Sequence, residues 1–482
     1  MANADDSGAG LTELPEWQVL TEHARELRSQ RIRSLFEADD QRFERFSVAH
    51  GDLLLDFSKN LATQTTLEHL FALARRRDLD GWTVSLFRGA PVNTTEHRAA
   101  LHMALRNRDG VMDAGSGDVM PAVERERQRM RQLVERLHSG TYRGSTGRPI
   151  TDVVNIGVGG SDLGAVMATE ALAAYRTDAV RVHFVSSIDG VHITDVLQQL
   201  APETTLFVIS SKSFTTLETM TNAEAARDWL RSRIAEPDAL AQHLLAVSTS
   251  EQAMADFGIP EANRFRIWDW VGGRYSLTSA VGLPAAIALG MDHFEALLTG
   301  CREMDQHFRS APMAANLPVI MGLLGVWHTN FLDAKAHAIL PYDQRLHRFP
   351  AYLQQLEMES NGKRVTRHGT PVDYHTGPVV WGEVGPNAQH SFYQLLHQGT
   401  RTVTVDFLVP VHGSGAYPQQ HRLAVANCLA QSRALMEGQD AEQVRAEMTG
   451  IGASAEAVET AVPHKVHPGN KSSNTLMFHR LD

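Results

Sequence analysis

From about residue 150 the chain settles into a rhythm that few folds satisfy: an apolar run, a short turn, then a helix-like stretch. "TDVVNIGV" (151–158), "VRVHFVSS" (180–187) and "TTLFVISS" (204–211) each follow this order. Strands that alternate with helices at this spacing predict a parallel sheet covered on both faces. Two helical stretches follow, "SLTSAVGLPAAIALG" (276–290) and "HFEALLTGCREMDQHF" (293–308). The alternation then resumes with "KAHAILPY", "GPVVWGEVG" and "RTVTVDFLVPV".

The first hundred residues read differently. Residues 15–46 carry Trp17, Leu20, Ala24 and Leu27 at helical spacing, with Pro15 tolerable in a first turn. "LLLDFSKN" (53–60) is strand-like, whereas "LEHLFALARRR" and "TEHRAALHMALRNR" read as helices. The expected organisation is an N-terminal helical extension over 1–110 and two α/β domains, 111–290 and 291–482.

Composition narrows the function. The 482 residues are 43% hydrophobic and 21% charged, ordinary for a soluble globular enzyme. A net charge of −11 disfavours non-specific nucleic-acid binding, so an anionic ligand needs local positive groups. Two cysteines, Cys301 and Cys428, are too few for a disulfide framework. "MANADDSGAG" lacks the charged-then-apolar order of a signal peptide, and no segment has the apolar length of a membrane span. The expectation is a cytoplasmic protein with no nucleic-acid or membrane partner.

The stretch "VVNIGVGGSDLG" (153–164) brings backbone close to something. A dinucleotide fingerprint needs a third glycine at position 162, which is Asp162. A P-loop needs a lysine after its last glycine, and Ala165 follows Gly164. What remains is a strand, a glycine turn and a helix start near Ser161, which suits any phosphate or is merely a tight turn. "SSKSFTT" (210–216) is more telling. It sets five hydroxyls and Lys212 between a strand and a helix, and an N-cap needs only one hydroxyl. The two loops together suggest a small phosphorylated metabolite.

Three weaker sites follow. Arg274 comes after Gly272 and Gly273 in "WDWVGGRYSLTSAVG", where a guanidinium can face developing oxyanion charge or form a surface salt bridge. "QQLEMESNGKR" (354–364) carries Glu357 and Glu359, and "NAQHSFYQLLHQG" carries His390. A carboxylate and a histidine suit proton transfer at neutral pH, although a lone histidine is more often structural.

These segments resemble, in order, the phosphoglucose isomerase family. The resemblance rests on "DWVGGRYSLTSAVG", "GVGGSDLG", "SSKSFTTLETMTNA", "QQLEMESNGK", "WGEVGPNAQHSFYQLLHQGT", "LLLDFSKN" and "NTTEHRAALHMALRNR", and spans nearly the whole chain. It implies an α/β fold of two sugar-isomerase-type (SIS) three-layer αβα domains with parallel-rich sheets, and interconversion of glucose 6-phosphate and fructose 6-phosphate in glycolysis and gluconeogenesis. By resemblance, Gly160, Ser161, Ser211, Lys212, Ser213 and Thr216 hold the phosphate; the family usually has Thr where Ser213 stands. Glu359 corresponds to the catalytic base and Gln355 to a ligand contact one turn earlier. Gly273 and Arg274 lie beside the enediolate, and His390 opens the sugar ring from the partner subunit of a homodimer.

The resemblance implies no metal or organic cofactor, and "HKVH" (464–467) is too isolated to indicate a metal site. The family normally continues past "KSSNTLMFHRLD" into a segment with a catalytic lysine and a glutamine. Lys465 and Lys471 match no such motif. Two functions therefore stand at this point, an aldose–ketose isomerase and a non-catalytic sugar-phosphate-binding protein. Glu359 favours the isomerase, because a binder needs no base there.

Overall fold

The computed structural model describes residues 10–234 and 240–482; the acidic start of the chain, 1–9, lies outside them. Eleven strands are described: β1 (Ser47–His50), β2 (Leu53–Asp56), β3 (Asp152–Ile156), β4 (Arg181–Val185), β5 (Thr205–Ser210), β6 (Leu244–Ser248), β7 (Arg264–Arg266), β8 (Ala336–Pro341), β9 (Val379–Gly382), β10 (Val403–Pro410) and β11 (Ser473–Phe478). They form two sheets in two compact units, one of 82–309 and one of 1–81 with 310–481.

The 82–309 unit holds a five-stranded, all-parallel sheet in the order β4-β3-β5-β6-β7. Strand side chains alternate between faces. Leu206 and Val208 of β5 therefore pack with Met130, Val134, Ile287, Phe294 and Leu298 on one side. Phe207 and Ile209 pack with Ala223, Ala226, Leu230 and Met254 on the other. All six residues of β5 are buried, which is why its sequence reads as a continuous apolar run.

The other unit holds a six-stranded sheet in the order β1-β2-β11-β10-β8-β9. Strands β9, β8, β10 and β11 are mutually parallel, and β2 adds antiparallel to β11 and β1. Ala338, Leu340, Val405 and Phe407 face Tyr393, Leu396, Cys428 and Leu435, whereas Ile339 and Leu408 face Phe349, Leu353 and Met358. The α/β, parallel-rich class read from the alternation is the fold of both units.

The boundaries near 110 and 290 differ from this division. "LLLD" is strand β2 of the second sheet, and the helices Pro15–Leu27 and Gln64–Arg76 pack with Trp327 and Phe331 of the same unit. "TEHRAALHMALRNR" also departs from expectation. It contains a single 3₁₀ turn, His102–Leu105, and Leu101, Met103, Ala104 and Leu105 are all buried with Trp270 and Val271. A surface helix would bury one stripe only. Here consecutive residues are covered, and the Leu101 amide donates to Trp270 O at 3.0 Å.

Candidate active site

In the 82–309 unit the strand order is that of a doubly wound sheet whose first and third strands, β3 and β5, lie side by side. Crossovers leave such a pair in opposite directions, opening a crevice at the carboxyl ends of the strands, where ligands of α/β proteins bind. The two loops read from sequence as phosphate-binding leave from these two ends. Gly159–Ser161 forms a 3₁₀ turn after β3, and residues 211–216 connect β5 to the helix Leu217–Arg231.

A buried asparagine ties the two loops. Asn155 on β3 donates Nδ2 to Ser161 O at 3.1 Å and accepts from Ser210 Oγ at 3.0 Å. Within the second loop Ser211 Oγ and Thr216 Oγ1 lie 3.1 Å apart, and Ser213 Oγ and Thr215 Oγ1 2.7 Å apart. Phe214 sits at φ 57°, buried among apolar side chains. A bulky residue in the left-handed region is strained, and such strain concentrates at ligand clamps.

The segment bearing Arg274 joins these loops. Lys212 Nζ donates to Asp269 O (3.0 Å) and Val271 O (2.9 Å). Burial first, and then the charge of Arg98, lower the pKa of this ammonium. Ser276 Oγ donates to Gly273 O at 2.6 Å and lies 3.3 Å from Gly160 O. A Cβ on Gly160 would stand 2.2 Å from Gly273 C and O, so only glycine permits this approach. Arg274 extends over the Tyr275 ring, which stacks on His102 at 4.9 Å. Gly160, Ser161, Ser211, Lys212, Ser213, Thr216, Gly273 and Arg274 are thus brought together on three interlocked loops.

In the other unit Gln355 and Glu359 share one π-turn, Gln355–Glu359, which continues the helix Phe349–Gln354. A π-turn widens the backbone ring by one residue and is frequent at functional sites. Gln355 Oε1 is buried without a hydrogen-bond partner, whereas Glu359 is exposed. His390 sits on a different crossover, after β9, and is exposed. Its turn is held by Gln389, whose Nε2 donates to Tyr342 OH at 3.0 Å; that hydroxyl lies 2.9 Å from Tyr393 OH.

The model of the phosphoglucose isomerase family matches residues 56–482. The chain belongs to that family. It is 48% identical over 473 residues to glucose-6-phosphate isomerase 1 of Chromobacterium violaceum, covering 98% of this chain and 86% of that protein. The crystal structure of a glucose-6-phosphate isomerase from Chlamydia trachomatis is similar at TM-score 0.83 and 28% identity, over 98% of this chain and 88% of that one. A hypothetical protein from Thermus thermophilus shares the fold at TM-score 0.63 and 22% identity, with 89% of each chain covered.

In this phosphoglucose isomerase family member, sequence reading missed Asn155, Gln389 and Tyr342. The signal for Asn155 was available: an amide inside "VVNIGV" has to find partners once buried. Among the described residues no group of three His, Cys, Asp or Glu side chains is placed to hold a metal ion. No described helix is long and apolar enough to cross a membrane.

Proposed function

We propose that this chain isomerises glucose 6-phosphate to fructose 6-phosphate, with Glu359 as the base. The observation that carries the reading is an exposed carboxylate on the π-turn of a family member whose glycine and hydroxyl loops meet at a strand switch point.

Ser161, Ser211, Lys212, Ser213 and Thr216 hold the phosphate, with Gly160 letting the loops close on it. Anchoring this remote group orients the reacting carbons and makes proton transfer effectively unimolecular. His390 assists ring opening: the C1–O5 bond breaks, O5 gains a proton and the O1 hydroxyl gives one up. Glu359 then takes the proton from C2, and the C–H electrons form the C1–C2 double bond of a cis-enediolate as O1 becomes negative. Arg274, beside Gly273, stabilises that charge where it develops, and Gln355 positions the chain. Glu359 returns its proton to C1 as the O2 hydroxyl proton is lost and the carbonyl forms at C2; the oxygen at C1 is reprotonated. One carboxylate alternating between base and acid suffices for the transfer.

The reading extends to a cytoplasmic homodimer in which His390 serves the partner's site. Exposed Tyr417, Leu423 and Leu429, on or beside the helix Pro418–Glu437, supply an apolar surface for such pairing. The test is fructose 6-phosphate turnover by the purified chain, followed as glucose 6-phosphate through a coupled dehydrogenase, beside Glu359→Gln. Turnover that disappears in the variant supports the isomerase; saturable sugar-phosphate binding without turnover in the wild type overturns it.

A further inference from the structure

The face of the second sheet that carries Glu359's helix changes character along the strands. Ile339, Leu408 and Leu476 are apolar beneath Phe349, Leu353 and Met358. Two residues earlier on each strand, the same face presents His337, Asp406 and Asn474. Asp406 and Asn474 are 6% exposed, and their strands pair with these two residues in register. Asn474 Nδ2 donates to Asp406 Oδ1 at 2.7 Å, and Asn60 Nδ2 donates to Asn474 Oδ1 at 2.8 Å. His337 Nε2 lies 3.1 Å from Asp406 Oδ2, at ion-pair distance but without the alignment of a full hydrogen bond.

This cluster borders a cavity of about 400 Å³, and Glu357 lines it too. Glu357 belongs to the same π-turn as Glu359. Its Oε1 accepts from Asn361 Nδ2 at 2.9 Å. We propose that Glu357, which lines the same cavity as the His337–Asp406–Asn474 cluster, is a positioning residue that fixes the π-turn so that Glu359 stays aligned for proton transfer.

The inference rests on Glu359 being the base. Its charge logic involves every element packed around the cavity: His337 from β8, Asp406 from β10, Glu357 from the π-turn, His328 from the preceding helix and His375 ahead of β9. Lys335, nearby, pairs with Asp333. Burial opposes a charge on His337, but Asp406 and, less strongly, Glu357 outweigh it and raise its pKa. Burial and then the neighbouring His337 push His328 down to about 3, so it stays neutral. Deprotonation of His337 would remove the positive charge that both Asp406 and Glu357 favour, loosening the turn.

The test is isomerisation of fructose 6-phosphate by wild type, Glu357→Gln, Glu357→Asp and Glu359→Gln, each from about pH 5.5 to 9.5. Glu357→Gln should lower kcat about tenfold with KM nearly unchanged, since small misplacement of a catalytic group has effects of that size or larger. The alkaline limb of its kcat profile should move to lower pH, because His337 loses a favourable charge. Glu357→Asp should recover most of the rate. A Glu357→Gln profile that superimposes on wild type, or a fall in kcat with the limb unmoved, would overturn the inference. Retained activity in Glu359→Gln would instead overturn the assignment of the base.

Discussion

The two units use one strand order in opposite ways. Both contain a parallel core in which the second strand of the chain lies outside the first and the third lies inside it: β4-β3-β5-β6 and β9-β8-β10-β11. In the 82–309 unit the polar investment is at the carboxyl ends of the central pair, where glycines and hydroxyls form loops. In the other unit it is toward the amino ends of the central pair, where His337, Thr404 and Asp406 line a cavity. On the proposed reading, one sheet presents a binding surface and the other braces the side chain that moves the proton. The same topology thus leaves both ends of the switch strands available, and side-chain chemistry decides which is used.

The largest test of this contrast lies on the braced side. Glu359→Gln should lower kcat about 10³-fold with the fold intact, in line with the loss of a general base; stopped assays with excess enzyme measure the residual rate. On the loop side the effects belong mostly to KM. Gly160→Ala would drive a methyl into the Gly273 backbone, so a rise in KM for fructose 6-phosphate of at least about tenfold is expected. An unchanged KM would show that the interlocked loops do not hold substrate.

Smaller is the effect of Asn155→Leu, which leaves the buried Ser210 hydroxyl without its acceptor. Urea unfolding should report a loss of about 1–3 kcal/mol. A further effect, confined to low pH, is carried by His102. Burial, then Arg106, hold its pKa at about 3, so it is neutral in the folded chain. A group with a depressed folded pKa gives stability that is complete above its unfolded value of 6.5 and is lost as pH falls toward 3. His102→Gln should therefore flatten the decline of thermal stability over that window, with little change at neutral pH.

Local chemistry made the loops legible. "GVGGSDLG" and "SSKSFTT" announce their geometry within a few residues, because turn glycines and clustered hydroxyls act where they stand. What sequence could not show depends on distant partners. Whether "AALHMALRN" coils or lies flat is decided by Trp270 and Val271, far along the chain. The π-turn at Gln355–Glu359 has no sequence mark, since an extra backbone residue within a helix is not set by side-chain propensity. His337 and Asp406 look like ordinary strand residues until the pairing of β8 with β10 makes them diagonal neighbours, 3.1 Å apart at their side chains.

The pairing of β2 with β11 has a consequence during synthesis. Leu53–Asp56 emerges early, yet its partner Ser473–Phe478 is made more than four hundred residues later. At ~5–20 residues per second the first hairpin waits about 20–80 s with one edge open. The 82–309 unit has all its strands by then and is free to fold on the ribosome, while the unit split around it in sequence stays exposed to chaperones and to wrong strand partners.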